Sequence, residues 1–355
     1  MPDCRLPPYI VHYTSAEAPR RSWAMDMLGV PDIWLQDKGL LCSVAVLDTG
    51  VDMQHGDLRS AVAGTADFTR GGRPVAGDQN GHGTHTAGTI GARNQNALVG
   101  VAPECRLYIG KVLNADGSGS SQGVAEGINW AVAMGVDLIS MSLGSPEGTP
   151  EIYHAVKAAR DRNVGVVCAA GNEGPHRNTV NYPARWEESI SVAALNRFRE
   201  ITRYSSRGPE NDICAPGDEI WSCWPGNQYA KLSGTSMACP FVAGILACYV
   251  SFFKRHYGNT PPVQTMINAL RANAVDIDAP GFDELSGWGL VNPAKMIESI
   301  IPIEPAPMEP VKPAPEPEPI PSPGEERKMS VVEKIVEALF EALDEYIKST
   351  NPPFS

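Results

Sequence analysis

Asp48, His82 and Ser236 stand in three short words: Val44-Ala-Val-Leu-Asp48-Thr-Gly50, Asn80-Gly-His82-Gly-Thr-His85 and Gly234-Thr-Ser236-Met-Ala238. A serine hydroxyl, an imidazole and a carboxylate are the nucleophile, general base and orienting acid of acyl transfer through a serine ester. Each word alone has a plainer reading. Asp48 reads equally as a polar residue at a strand end, and Ser236 as a helix cap. A single Asp-Thr-Gly also suits an acid protease, but that chemistry needs two carboxylates sharing a proton, and the chain has one such word. His82 and His85 are spaced as zinc ligands, yet the glutamate that His-Glu-x-x-His enzymes use as base is missing. His85 is therefore expected to be packed and hydrogen-bonded.

The three words need a frame that brings them together. Apolar β-type runs over 43–47, 107–113, 137–142, 165–170 and 190–194 alternate with helical patterns over 82–92, 121–134, 151–162 and 236–257. Near-continuous apolar strands separated by helices predict an α/β fold with a mainly parallel sheet covered on both faces. Loops at the carboxyl ends of such strands gather functional groups. Asp48, Ser142 and the segment after Ala170 all fall at such ends. Residues 1–20 show little helix or strand pattern.

Composition bounds the rest. The chain has 355 residues and a net charge of −12, which argues against nucleic acid or an anionic membrane surface as the main partner. No run is read as approaching the roughly 18 apolar residues of a membrane span. The first residues lack a basic stretch followed by an apolar one, so no secretory signal is read there. The eight cysteines show no C-x-x-C spacing. Free, mostly buried thiols and a cytoplasmic location are the expectation. Half of the net negative charge lies beyond residue 301. Ten prolines fall within 302–323, a composition for an extended spacer. Beyond it Val332, Ile335, Val336, Leu339, Leu343, Tyr346 and Ile347 line one face of an expected helix. A helix this short is marginal alone in water, so it is expected to dock, either back on its own domain or, the preferred reading, in homo-oligomerisation or binding of a partner.

Taken together the words resemble those of the subtilisin-like serine proteases (subtilases) between about residues 23 and 297, in the subtilisin order Asp, His, Ser. The resemblance implies a three-layer α/β/α subtilisin-like fold. It also implies an endopeptidase of broad specificity acting on polypeptides, with Asp48 orienting His82 and His82 activating Ser236. The family's oxyanion asparagine is matched by Asn172 in Cys168-Ala-Ala-Gly-Asn172-Glu-Gly174. Gly117, Ser118 and Gly119 match one edge of the family's clamp on an extended peptide, and Ser142, Leu143 and Gly144 match the other. Ala169 and Gly171 would wall the first specificity pocket, with neutral Asn181 as its floor and no demand for a charged side chain. No cofactor is implied for the chemistry. A structural calcium is implied at Asp57, in His55-Gly-Asp57-Leu. The alternative is a catalytically inactive subtilase serving as a scaffold, which a missing catalytic or oxyanion residue would indicate; none is missing.

Leu6-Pro-Pro-Tyr9-Ile resembles the Leu-Ile-Pro-Tyr segment of bacterial intracellular subtilisins, with Pro7 where they have isoleucine. It implies an inhibitory extension over 1–21, removed by processing at the N-terminus. The expected organisation is then that extension, a catalytic domain over 22–301, a Pro/Glu-rich linker over 302–328 and an amphipathic helix over 329–355.

Overall fold

A computed structural model describes residues 4–72 and 77–300, and Glu341. The linker and helix expected over 302–328 and 329–355 lie outside the described residues, Glu341 apart.

In chain order the strands are β1 (Cys4–Arg5), β2 (Ile10–Ser15), β3 (Ser43–Asp48), β4 (Val62–Asp67), β5 (Arg106–Lys111) and β6 (Ser118–Gly119). They continue as β7 (Leu138–Met141), β8 (Gly165–Ala169), β9 (Ile190–Leu195), β10 (Ile213–Pro216), β11 (Ile220–Trp224) and β12 (Gln228–Ser233). The helices are α1 (Trp23–Met27), α2 (Val30–Ile33), α3 (His82–Gly91), α4 (Ser121–Ala133), α5 (Pro150–Asp161), α6 (Thr235–Tyr257), α7 (Val263–Asn273) and α8 (Pro293–Glu298).

Seven strands form one sheet in the order β10-β9-β8-β7-β3-β5-β4, and every pair in it is parallel. This is the three-layer α/β/α frame expected. All six residues of β3 are buried, because helices cover both faces. Its alternation sorts the side chains: Val44 and Val46 join the core shared with α3 and α6, while Ala45 and Leu47 join the core shared with α4 and α5. With side chains alternating at every residue, Asp48 continues the Val44–Val46 face. It is thereby aimed at α3 and α6, which carry His82 and Ser236.

Three expectations need correction. α6 is 23 residues long, and nearly all of its apolar stretch is buried. It is long and apolar enough to cross a membrane and serves here as the core helix, apolar all round because it is surrounded. Residues 1–20 are not patternless: β1 pairs with β6 and β2 with β12. Finally β4, with its Gly64 and Thr65, and the short β10–β12 were not among the expected strands.

Candidate active site

Asp48 ends the central strand. His82 opens α3, and Ser236 is the second residue of α6. All three are completely buried. His82 Nδ1 lies 2.8 Å from Asp48 Oδ1 and 3.0 Å from Oδ2. The carboxylate also accepts the Thr49 N–H at 2.7 Å and the Thr86 hydroxyl at 3.3 Å. Close approach of α3 to the Asp48 turn depends on Gly83, where an added Cβ would sit 2.2 Å from the Gly50 carbonyl oxygen.

The other half of the constellation is not joined. Among the described residues His82 Nε2 has no hydrogen-bond partner, and Ser236 Oγ lies 3.4 Å from the Ser142 carbonyl oxygen. Tyr9 covers the imidazole, with ring centroids 4.9 Å apart and its hydroxyl donating to Asn80 Oδ1. Burial, then the charges of Asp48 and Asp78, push the Tyr9 phenol up to about 12.

Asn172 follows the β8 end, after Gly171 at φ +111°. Its Oδ1 accepts both the N–H and the hydroxyl of Thr235, at 2.9 and 3.0 Å. Two donors on one oxygen leave the NH2 pointing the other way, where it donates to the Pro8 carbonyl at 2.7 Å.

Residues 4–6 lie between the two expected clamp edges. Cys4 and Arg5 pair antiparallel with Gly119 and Ser118. Arg5 exchanges two backbone hydrogen bonds with Gly144, at 3.1 and 3.0 Å, and the Leu6 N–H donates to the Gly117 carbonyl. Pro7 and Pro8 have no N–H to continue the ladder. Ser142 also ties to α6, its hydroxyl donating to the Ser236 carbonyl at 2.9 Å, and Leu143 is buried. Ala169 ends β8 in the core and Gly171 closes tightly on Asn181, whose Nδ2 would be 2.8 Å from an added Cβ. Asn181 lines a cavity of about 60 Å³ together with Arg5, Pro7, Gly144, Pro146 and Glu173. Neutral Asn181, the expected pocket floor, thus shares this cavity with the carboxylate-bearing Glu173.

His85 is buried, with Nε2 on the Ile220 carbonyl. Burial pushes its pKa down to about 3, so it stays neutral. All eight cysteines are buried, and none is in a disulfide.

Two positioning residues were missed. Asp78 accepts five hydrogen bonds, from the Thr49 hydroxyl, Asn80 N–H and Gly81 N–H on one oxygen and from the Thr84 N–H and hydroxyl on the other. Gly81, the cap position of α3, has no side chain to satisfy the orphan N–H groups, so Asp78 does so from three residues upstream and ties them to the Asp48 turn. Buried Lys111 donates to the Thr49 carbonyl from the other side. Burial holds its ammonium below the usual lysine range, against the pull of Asp78, Asp67 and Asp48. Thr235 is the second missed residue.

Asp57 does not fit a calcium ion. Calcium takes six to eight oxygen ligands, whereas the Asp57 oxygens already accept the N–H groups of Asn96, Ala97 and Leu98 and the Tyr229 hydroxyl. Its companions within ligating distance are His55 and Cys223, a nitrogen and a sulfur. Burial raises its pKa, but the Leu98 N–H, the Tyr229 hydroxyl and the other two N–H groups outweigh that and hold it low. The 92–99 loop folds its own donors onto the carboxylate.

Against this geometry the comparisons are specific. The family model described as the subtilase family, peptidase S8, matches residues 41–289. An intracellular serine protease of Paenibacillus polymyxa is 47% identical over 238 residues, covering 65% of this chain and 72% of that protein. The major intracellular serine protease of Bacillus subtilis (strain 168) is 43% identical over 259 residues, 70% and 81% of the two chains. Subtilisin DY of Bacillus licheniformis is 40% identical over 258 residues, 72% and 90%. With the sheet, the matched span and these relatives in agreement, the chain belongs to the subtilase family.

Proposed function

We propose that the protein is a serine endopeptidase in which Asp48, His82 and Ser236 act as the triad. The Ser236 hydroxyl adds to the carbonyl carbon of a bound peptide as His82 Nε2 takes its proton. Asp48, on Nδ1, keeps the imidazole in the right tautomer and stabilises the imidazolium. The Asn172 amide and the Ser236 N–H stabilise the oxyanion, and His82 returns the proton to the leaving amine. Water then hydrolyses the acyl-enzyme by the same steps.

One observation carries this reading: residues 4–6 make main-chain hydrogen bonds to segments 117–119 and 144 on either side, and the Asn172 amide holds the Pro8 carbonyl just beyond them. Main-chain pairing of that kind binds polypeptides with little regard for sequence, which supports broad specificity. Glu173 at the pocket favours a basic or polar side chain there over an acidic one.

The same strand supports an inhibitory extension over residues 1–21. Tyr9 occupies the space above His82, and the His82–Ser236 hydrogen bond is unmade. Processing would release it. The relatives named intracellular, with eight reduced thiols, favour a cytoplasmic setting. The tail beyond 302 is proposed to associate with a second copy or a partner, which light scattering with and without residues 302–355 would show. For the activity itself, a fluorophosphonate probe should label the folded protein and leave Ser236→Ala unlabelled. Absence of labelling in the folded wild type would overturn the proposal.

A further inference from the structure

Past Tyr9 the extension does not leave the surface; it continues as β2 along the edge of β12. Ile10 lies opposite Ser233, Val11 opposite Leu232, Tyr13 opposite Lys231, Thr14 opposite Ala230 and Ser15 opposite Tyr229, with a bulge at His12. The strand adds little to the core: Ile10, Val11 and Tyr13 are 52%, 46% and 57% exposed. It is held by the main-chain ladder and by two side-chain contacts. His12 Nε2 is 2.7 Å from Ser233 Oγ, and the Tyr13 ring meets half-buried Trp221 edge-on, with centroids 5.8 Å apart at 84°. Trp221 and Tyr13 both face Lys231 in the register, so the three residues form one row across the sheet. Lys231 is held in place by Glu219 at 3.2 Å.

A strand fixed by its backbone can be replaced by any extended chain of the same polarity. We infer that the β12 edge is the leaving-side half of the substrate groove. In it the row Lys231–Trp221 forms a remote subsite for an aromatic side chain of an unfolded polypeptide substrate. Tyr13 is the fifth residue after Pro8, whose carbonyl is held by Asn172, so this subsite reads the substrate four to six residues beyond the cut. Trp221 acts there as a specificity residue. An edge-on aromatic pair discriminates by about 2- to 10-fold. The inference rests on the peptidase reading and on vacation of the groove by the extension.

Two measurements test it. In the first, processed enzyme counted by fluorophosphonate titration is given quenched peptides extended two, four or six residues past the cut, with Ala or Phe at the fourth to sixth positions. kcat/KM should rise through six residues, with a 2- to 10-fold preference for Phe that Trp221→Ala removes. No gain beyond two residues, or a Phe preference that survives in Trp221→Ala, overturns the inference. The second needs no activity. Ser236→Ala protein is nicked by trypsin at the exposed Arg20–Arg21 and freed of residues 1–20. Labelled peptides of residues 4–15, one with the native sequence and one with Tyr13→Ala, are then bound to it. The native peptide should bind 2- to 10-fold tighter, and the two should bind alike once Trp221→Ala is added to the protein. Equal binding of the two peptides while Trp221 is present refutes the subsite. Tight, Tyr13-dependent binding without fluorophosphonate labelling would mean that the peptidase reading has failed and the groove has not.

Discussion

Thr235 donates its backbone N–H and its hydroxyl to the same oxygen of Asn172. The residue immediately before the proposed nucleophile therefore sets which way the proposed oxyanion donor points. A flipped amide would present an oxygen, and repulsion, to a developing oxyanion.

Loss of the donor itself, in Asn172→Ala, should lower kcat by about 10²–10³, the range known from subtilisin, a member of this family. Thr235→Val keeps the N–H and loses the hydroxyl, so kcat should fall by about 10-fold with KM unchanged. Thr235→Ser should recover most of it. Unchanged kcat in Thr235→Val would show that the N–H alone holds the amide.

Asp78 joins the Asp48 turn to the start of α3. Asp78→Ala should cost about 1–2 kcal/mol, as loss of a helix cap does, read by urea unfolding. It should also lower kcat more than it raises KM at temperatures where both proteins are folded. Peptidase rates within twofold of wild type there would confine Asp78 to stability.

How much of this was legible depended on where each residue found its partners. Asp48 could be placed because four apolar residues in a row, Val44 to Leu47, identify a strand buried on both faces, and its end is where functional groups collect. Asn172 and the clamp could be placed only through resemblance. Asp78 and Thr235 escaped because their work consists of accepting or donating to backbone groups far away in sequence, which leaves no periodic trace. β2 escaped for a related reason: an exposed edge strand lacks apolar alternation, and its partner lies over two hundred residues on. For Asp57 the word His55-Gly-Asp57-Leu carries the calcium-type residues, while the loop facing it supplies N–H donors to the carboxylate, which the word itself does not reveal.

From that loop follows a test by chelation and pH. EDTA should leave the Tm contribution of the Asp57 site unchanged, whereas Asp57→Asn should cost about 1.5–3 kcal/mol, the range for hydrogen bonds to a charged group. The folded-state pKa of Asp57 is depressed, so its stabilisation is complete above the unfolded aspartate value of about 3.9 and is lost as pH falls through the lower folded value. The difference in Tm between wild type and Asp57→Asn should therefore close in strong acid. A fall in Tm with EDTA that Asp57→Asn abolishes would restore the calcium reading.

The extension gives the fourth prediction. A chain beginning at Ser22 should hydrolyse peptides faster than the full chain, and Tyr9→Ala should lie between them. Equal rates for the Ser22 chain and the full chain would sink the inhibitory role. Intact mass beside Ser236→Ala would show whether the enzyme itself makes the cut.

The same arrangement bears on the timing of activation. Residues 4–15 are held by ladders on both sides of the catalytic centre, and the backbone just beyond them is pinned where Val99 donates to the Arg20 carbonyl. Cutting the chain removes the tether and leaves these ladders intact. The freed segment becomes an ordinary ligand, no longer kept at the high effective concentration of a linked one. Under the inhibitory reading, cleavage would then permit activity while dilution delivers it: a concentrated preparation should stay quiet after processing, and a dilute one should show a lag set by the segment's escape.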